Sequence, residues 1–208
     1  KGFYKYYDYS SLGLGDVDPA EYAESGFLLE MELDERFPDE VAGFISNAGQ
    51  QVVCKYPEYA TKAQVKFISD FWNEAESVIY SDNPTYAELD EYIDVESFAK
   101  MYLIQELSKN LDACATSYYV FYDGGKLHAG VTWDYDWTLG QFNHDLSARL
   151  KAGKFSNTSG DMDSSSGWWA NSKRIYPERS NFNIQAQLCQ GDDFWNVVQA
   201  EWNELFYA

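Results

Sequence analysis

Apolar and polar side chains alternate along Gly26-Phe27-Leu28-Leu29-Glu30-Met31-Glu32-Leu33, with Leu29, Met31 and Leu33 at every second position and Glu30 and Glu32 between them. A period of two is that of a strand with one face on a core. Glutamate ordinarily faces solvent, and that is the expectation for Glu30 and Glu32; a pairing of either with Lys55 is the alternative. Gln51-Val52-Val53-Cys54-Lys55 reads as a second short strand, stopped by Pro57. Residues 34–50 carry turn signals at Pro38 and at Asn47 to Gly49 without a sustained period, so they read as loop.

The period changes after Pro57. Thr61 and Gln64 have capping-box spacing, in which the hydroxyl takes one free backbone N–H and the amide side chain returns to another. Val65, Ile68, Trp72, Ala75 and Ile79 then recur every three or four residues, which predicts a long helix with a core-facing stripe. Pro84 separates it from a helix that Asp94 caps and that runs from Val95 to about Leu107. That helix is apolar on more than one side (Phe98, Met101, Tyr102, Leu103, Ile104, Leu107), so it belongs in the middle of the molecule. Ser117 to Tyr122, the turn Asp123-Gly124-Gly125, and Lys126 to Trp133 form a predicted hairpin. An amphipathic helix from about Asp193, carrying Phe194, Val197, Val198, Trp202 and Leu205, closes the chain. Gly2 to Ser25 reads as loop or an irregular strand pair, and residues 143–167 as polar loop.

Length and charge narrow the picture. A chain of 208 residues holds one domain with a substantial core and is short for two, so a single mixed α/β domain over residues 1–208 is expected. Apolar residues at 45% and aromatics at 18% exclude a disordered chain. With 34 acids against 15 Lys and Arg the net charge is -19, which repels nucleic-acid phosphates and anionic lipid surfaces and favours a basic protein, a sugar or a metal as partner. No apolar run reaches the roughly 20 residues of a bilayer span, so membrane insertion is not expected. The chain starts at Lys1 without a signal-like segment, and is expected to be a processed or excised part of a longer protein. Cys54, Cys114 and Cys189 are far apart and lack C-x-x-C spacing, so they read as buried thiols.

Candidate chemistry gathers at Trp133-Asp134-Tyr135-Asp136-Trp137. In an extended segment alternate side chains share a face, so Asp134 and Asp136 point one way and the three rings pack beneath. Two carboxylates whose alpha carbons lie roughly 7 Å apart can touch one hard divalent cation. Asp112 precedes the first hairpin strand, and an antiparallel hairpin brings its open ends together, so a cluster of three acids is expected. Crowded carboxylates beside rings favour a bound cation to offset their repulsion. The plainer reading is that these acids are solvated hairpin ends in a very acidic chain.

The same residues carry a family resemblance. Tyr92-Ile93-Asp94-Val95-Glu96-Ser97-Phe98, Glu106-Leu107-Ser108-Lys109-Asn110-Leu111-Asp112, the Gly124-Gly125-Lys126-Leu127 turn and the WDYDW run resemble the spore-coat CotH kinase family, as do Gly26 to Glu30 and Lys55-Tyr56-Pro57, in the same order. The likeness covers residues 26–140 well and the final helix more weakly. It implies an atypical protein-kinase-like fold, mostly the helical lobe with a β-hairpin carrying metal-binding acids, and ATP-dependent phosphorylation of protein Ser/Thr hydroxyls with Mg²⁺ or Mn²⁺. By the resemblance Asp112 is the catalytic acid that orients the acceptor hydroxyl, Asp134 and Asp136 are metal-binding acids, Lys55 meets the nucleotide phosphates, and Trp133 lines the nucleotide pocket. Such roles suit phosphoryl transfer, where catalysis is positioning plus charge neutralisation. A basic or Ser/Thr-rich protein substrate and a bacterial secreted or cell-surface setting follow as expectations.

Two features depart from conventional kinases. Ser117 stands five residues after Asp112, where those enzymes place a metal-binding Asn. No glycine-rich loop precedes Lys55 beyond the short Leu12-Gly13-Leu14-Gly15, so part of the nucleotide-covering lobe is expected to lie upstream or to have been lost. Two other classes therefore stay open. Paired carboxylates among many aromatics also suit a carbohydrate-active or carbohydrate-binding protein, and a kinase-like fold without catalysis would serve as an interaction module. Asp161 to Gly167 fails as a calcium loop, with Gly at position seven instead of six and Ser172 instead of Glu at position twelve.

Overall fold

A computed structural model describes residues 3–13, 26–110, 116–136, 138–139, 170 and 184–207. Strands β1 (Phe3–Lys5), β2 (Phe27–Glu32), β3 (Gly43–Ile45), β4 (Gln51–Tyr56), β5 (Tyr118–Asp123) and β6 (Lys126–Ala129) form one sheet in the order β1-β3-β4-β2-β5-β6. Every pair within it is antiparallel. Helices α1 (Lys62–Ile79), α2 (Tyr86–Asp90), α3 (Val95–Ser108), α4 (Ile184–Leu188) and α5 (Asp192–Tyr207) accompany it.

The alternation in β2 decides which face meets the helices. Phe27, Leu29 and Met31, with Phe44, Val52, Cys54, Tyr118, Val120 and Leu127 from the neighbouring strands, join one buried cluster with Val65, Ile68, Trp72, Ala75 and Ile79 of α1 and Phe98, Met101 and Tyr102 of α3. The predicted stripe of α1 is the buried one, and its capping box is formed, with Gln64 N–H donating to Thr61 Oγ1 at 3.2 Å and Thr61 N–H to Gln64 Oε1 at 2.8 Å. Asp94 caps α3 by accepting from Ser97 N–H at 3.1 Å. Ile104 and Leu107 of that helix are exposed, so its apolar surface does not close all round.

Four expectations change. The stretch 34–50, read as loop, contains a 3-10 helix (Phe37–Asp39) and β3. Three residues are too few to show a period; β3 exists because it pairs with β4 and β1, and Gly43 permits the approach, since a Cβ there would lie 2.4 Å from the Val52 carbonyl oxygen. The short helix α2, with a capping box between Thr85 and Glu88, lies in a stretch where no element was predicted. The returning hairpin strand ends at Ala129 instead of Trp133. Leu205 of α5, placed on the apolar face, is exposed, while Phe194 and Val198 are buried. The hairpin turn stands at Gly124 and Gly125, both at positive φ, as a two-residue turn requires. Cys54 is a buried free thiol, its pKa pushed up to about 12 by burial, and Cys189 is half-buried; Cys114 lies outside the described residues.

Candidate functional site

On the sheet face opposite the helices, Glu30, Glu32, Gln51 and Val53 of β2 and β4 are buried, Lys55 and Tyr119 are half-buried, and Phe121 of β5 is exposed. Glu30 and Glu32, expected in solvent, are 5% and 4% exposed. Glu32 Oε1 accepts from Leu33 N–H and from Thr116 Oγ, both at 2.7 Å, and lies 3.7 Å from Arg36. Glu30 meets Lys55, with Nζ 3.1 Å from Oε2. The pairing alternative is therefore the one the fold realises, and its origin is local. Leu28 pairs with Tyr56 and Leu29 with Cys54, which leaves Lys55 as the extra residue of a β-bulge. A bulge re-aims its side chain, and here the ammonium is directed toward Glu30.

Lys55 has a second partner. Glu40, just after the 3-10 helix, approaches Nζ to 3.2 Å. Burial opposes the lysine charge, but the hydrogen bonds and charges of Glu30 and Glu40 outweigh it and raise the Lys55 pKa. Glu30 itself is raised, because desolvation exceeds the stabilisation that Lys55 supplies. One member of the pair, Glu30, is thus held almost out of water.

From Glu30 the contacts run across the sheet. Tyr119 stands opposite Glu30 in the β2–β5 register and turns its hydroxyl toward that carboxylate as a donor; burial and the Glu30 charge push its pKa up to about 12. The Tyr119 ring meets Trp133 edge-on at 6.5 Å. Trp133 is 59% exposed and belongs to no core, so the picture of rings packed beneath the acids is corrected at this residue. The next residue, Asp134, accepts a 3.1 Å hydrogen bond from Ser117 Oγ at its Oδ2. Ser117 and Asp134 both take left-handed backbone, with φ of 52° and 59°. That geometry breaks the assumed extended run, so Asp134 and Asp136 do not alternate as in a strand.

The sequence-predicted residues are thus distributed as follows. Lys55, Trp133 and Asp134 lie along one line of contacts through Glu30 and Tyr119. Asp136 is exposed in a turn two residues further. Asp112 lies outside the described residues, as do Trp137 and the loop from Asp161 to Gly167. Among the described residues, three carboxylates close enough to share an ion are Glu30, Glu32 and Glu40, whose oxygens fall within 4.8 Å of one another. Sequence reasoning missed Glu40 and Tyr119. Tyr119 was findable by placing β5 beside β2; nothing in the period of residues 34–50 marks Glu40. His128 brings Nδ1 to 2.9 Å from Asp94 Oδ2 and stacks on Phe121.

The profile of the family described as CotH kinase protein matches residues 21–206. The chain belongs to the CotH kinase family. No curated protein and no solved structure matches it. The mixed α and β architecture around an antiparallel sheet agrees with the kinase-like α+β fold of a CotH kinase. No helix among the described residues is long and apolar enough to cross a membrane. The donors present suit the nucleotide and metal that a kinase fold implies. Among the described residues Asp134 Oδ1 has no hydrogen-bond partner, and the Ser117 hydroxyl beside Oδ2 adds a second hard oxygen, the ligand type Mg²⁺ and Mn²⁺ take. Lys55, whose ammonium lies 3.1 Å from Glu30, is a cation of the kind that fits a phosphate.

Proposed function

We propose that this CotH kinase transfers the γ-phosphoryl group of ATP to Ser or Thr hydroxyls of a protein, with Mg²⁺ or Mn²⁺. The observation that carries the reading is the Lys55–Glu30 pair on the sheet face opposite the helices, continued through Tyr119 to Trp133 and Asp134. A lysine fixed by a buried carboxylate is what phosphate positioning requires. Paired-carboxylate hydrolysis of a sugar has no use for it.

In this reading Lys55 binds the phosphates, and Asp134, with Ser117 beside it and Asp136 nearby, holds the divalent ion. The ion supplies charge neutralisation on the phosphate oxygens. Trp133 offers an exposed ring to the adenine. Asp112 accepts the proton of the acceptor hydroxyl as its oxygen bonds to the γ-phosphorus and the bond to the bridging oxygen of ADP breaks. The net charge of -19 favours a substrate with basic residues around its Ser or Thr. A bacterial secreted or cell-surface setting accords with the family's spore-coat association.

Calorimetry of ATP with and without Mn²⁺, on the parent chain and on Asp134→Asn, tests the proposal. Asn tolerates left-handed backbone, so the substitution removes the charge without adding backbone strain. Expected is Mn²⁺-dependent binding that Asp134→Asn loses, followed by phosphate transfer to a basic Ser/Thr peptide. Binding that ignores both Mn²⁺ and the substitution would remove Asp134 from the site. Binding without transfer would favour an interaction module.

A further inference from the structure

The two carboxylates on Lys55 are not equivalent. Glu30 is part of β2, its side chain is 7% exposed, and Tyr119 donates toward it. Glu40 sits on the connection between the 3-10 helix and β3, its side chain is 27% exposed, and among the described residues its carboxylate meets Lys55 alone. The bulge and Glu30 already set where the ammonium points, so Glu40 is not needed to aim it. It does change what an incoming anion meets. Glu30, Glu32 and Glu40 bring three negative charges, against the two positive charges of Lys55 and Arg36, in a chain of net charge -19.

We propose that Glu40 is a built-in competitor of the nucleotide: its carboxylate occupies the face of Lys55 that phosphates take, and it swings out toward solvent when they bind. This rests on the reading of Lys55 as the phosphate-binding lysine. Glu30 stays in place and keeps the ammonium aimed. The contact sets affinity: a nucleotide must displace a tethered carboxylate, so binding is weaker than the lysine alone would give. The two acids therefore act with opposite sign, although both touch the same atom.

The test is calorimetry of Mg²⁺-ATP and of inorganic tripolyphosphate on the full chain and on Glu40→Gln, Glu30→Gln, Lys55→Met and the Glu40→Gln/Lys55→Met double variant, each checked for an intact thermal transition. Glu40→Gln is expected to bind both probes about tenfold tighter, with the gain gone when Lys55 is Met, and Glu30→Gln to bind more weakly than the parent. ATP binding that is equal or weaker in Glu40→Gln overturns the competitor role and leaves the kinase reading standing; a loss confined to Mg²⁺-ATP makes Glu40 a metal ligand instead. Tighter tripolyphosphate binding in Glu40→Gln without ATP binding by any variant keeps the competitor role and overturns the kinase reading. Failure of the parent and Glu40→Gln to bind either probe overturns both.

Discussion

Ser117 shows how much one residue decides at this site. Its hydroxyl holds one oxygen of Asp134, and both residues take the left-handed conformation that costs most side chains about 1–2 kcal/mol. Conformations of this kind persist where surrounding contacts over-determine them, and they cluster at functional sites. Ser117→Ala removes the donor and frees Asp134 to turn, so Mn²⁺-dependent ATP affinity should fall several-fold while the thermal midpoint moves little. Ser117→Asn keeps a donor and suits the left-handed backbone, so it should retain affinity; calorimetry on the two variants separates them. Equal affinity in Ser117→Ala and the parent would make the hydrogen bond incidental. The serine was visible in the sequence as a departure from kinase spacing. That its hydroxyl meets Asp134 was not, because the contact spans 17 residues and depends on where β6 stops.

At the scale of an element, α3 joins the helical layer to the hairpin through its first turn. Asp94 accepts from Ser97 N–H, meets His128 of β6, and its own N–H donates to the Leu127 carbonyl at 2.8 Å. Burial raises the Asp94 pKa, but the Ser97 N–H bond and His128 lower it further, and the net shift is downward. A carboxyl whose folded pKa lies below its unfolded one stabilises the fold above the unfolded value, near 3.9. That contribution is lost as pH falls through the lower folded value, because the unfolded chain binds the proton first. Asp94→Asn keeps the cap, since Asn and Asp cap helices about equally well, and removes the charge. Urea midpoints measured from pH 6 to pH 2 should therefore fall less steeply in Asp94→Asn than in the parent. Parallel curves would leave the carboxylate without a role beyond capping. The cap was legible from the sequence; the histidine partner needed the β6 register.

For the whole molecule the excess of acid is the governing quantity. A net charge of -19 makes the compact state repel itself, and the sheet face opposite the helices concentrates Glu30, Glu32 and Glu40 against two cations. Salt shortens the reach of that repulsion, with a Debye length of about 10 Å at 0.1 M and about 3 Å at 1 M. The thermal midpoint should thus rise as NaCl is taken from low millimolar to molar concentration, and calorimetric scans read it directly. A midpoint that falls with salt would mean that screened ion pairs such as Lys55–Glu30 outweigh the general repulsion.

The sequence by itself determined the elements with a sustained period or a marked end: β2, β4, α1, α3, the glycine turn of the hairpin and the closing helix, together with the family likeness that their order carries. These are local matters, set by which side chains recur on one face and which residue can cap or turn the backbone. Only the tertiary structure decided that β3 is a strand, that the glutamates of β2 are buried, that Lys55 is the extra residue of a bulge held between Glu30 and Glu40, and that Asp134 leaves the extended line to meet Ser117. Each of these depends on pairing between segments far apart in the chain. An alternating pattern tells which residues share a face, but what covers that face is decided by the segments that fold onto it.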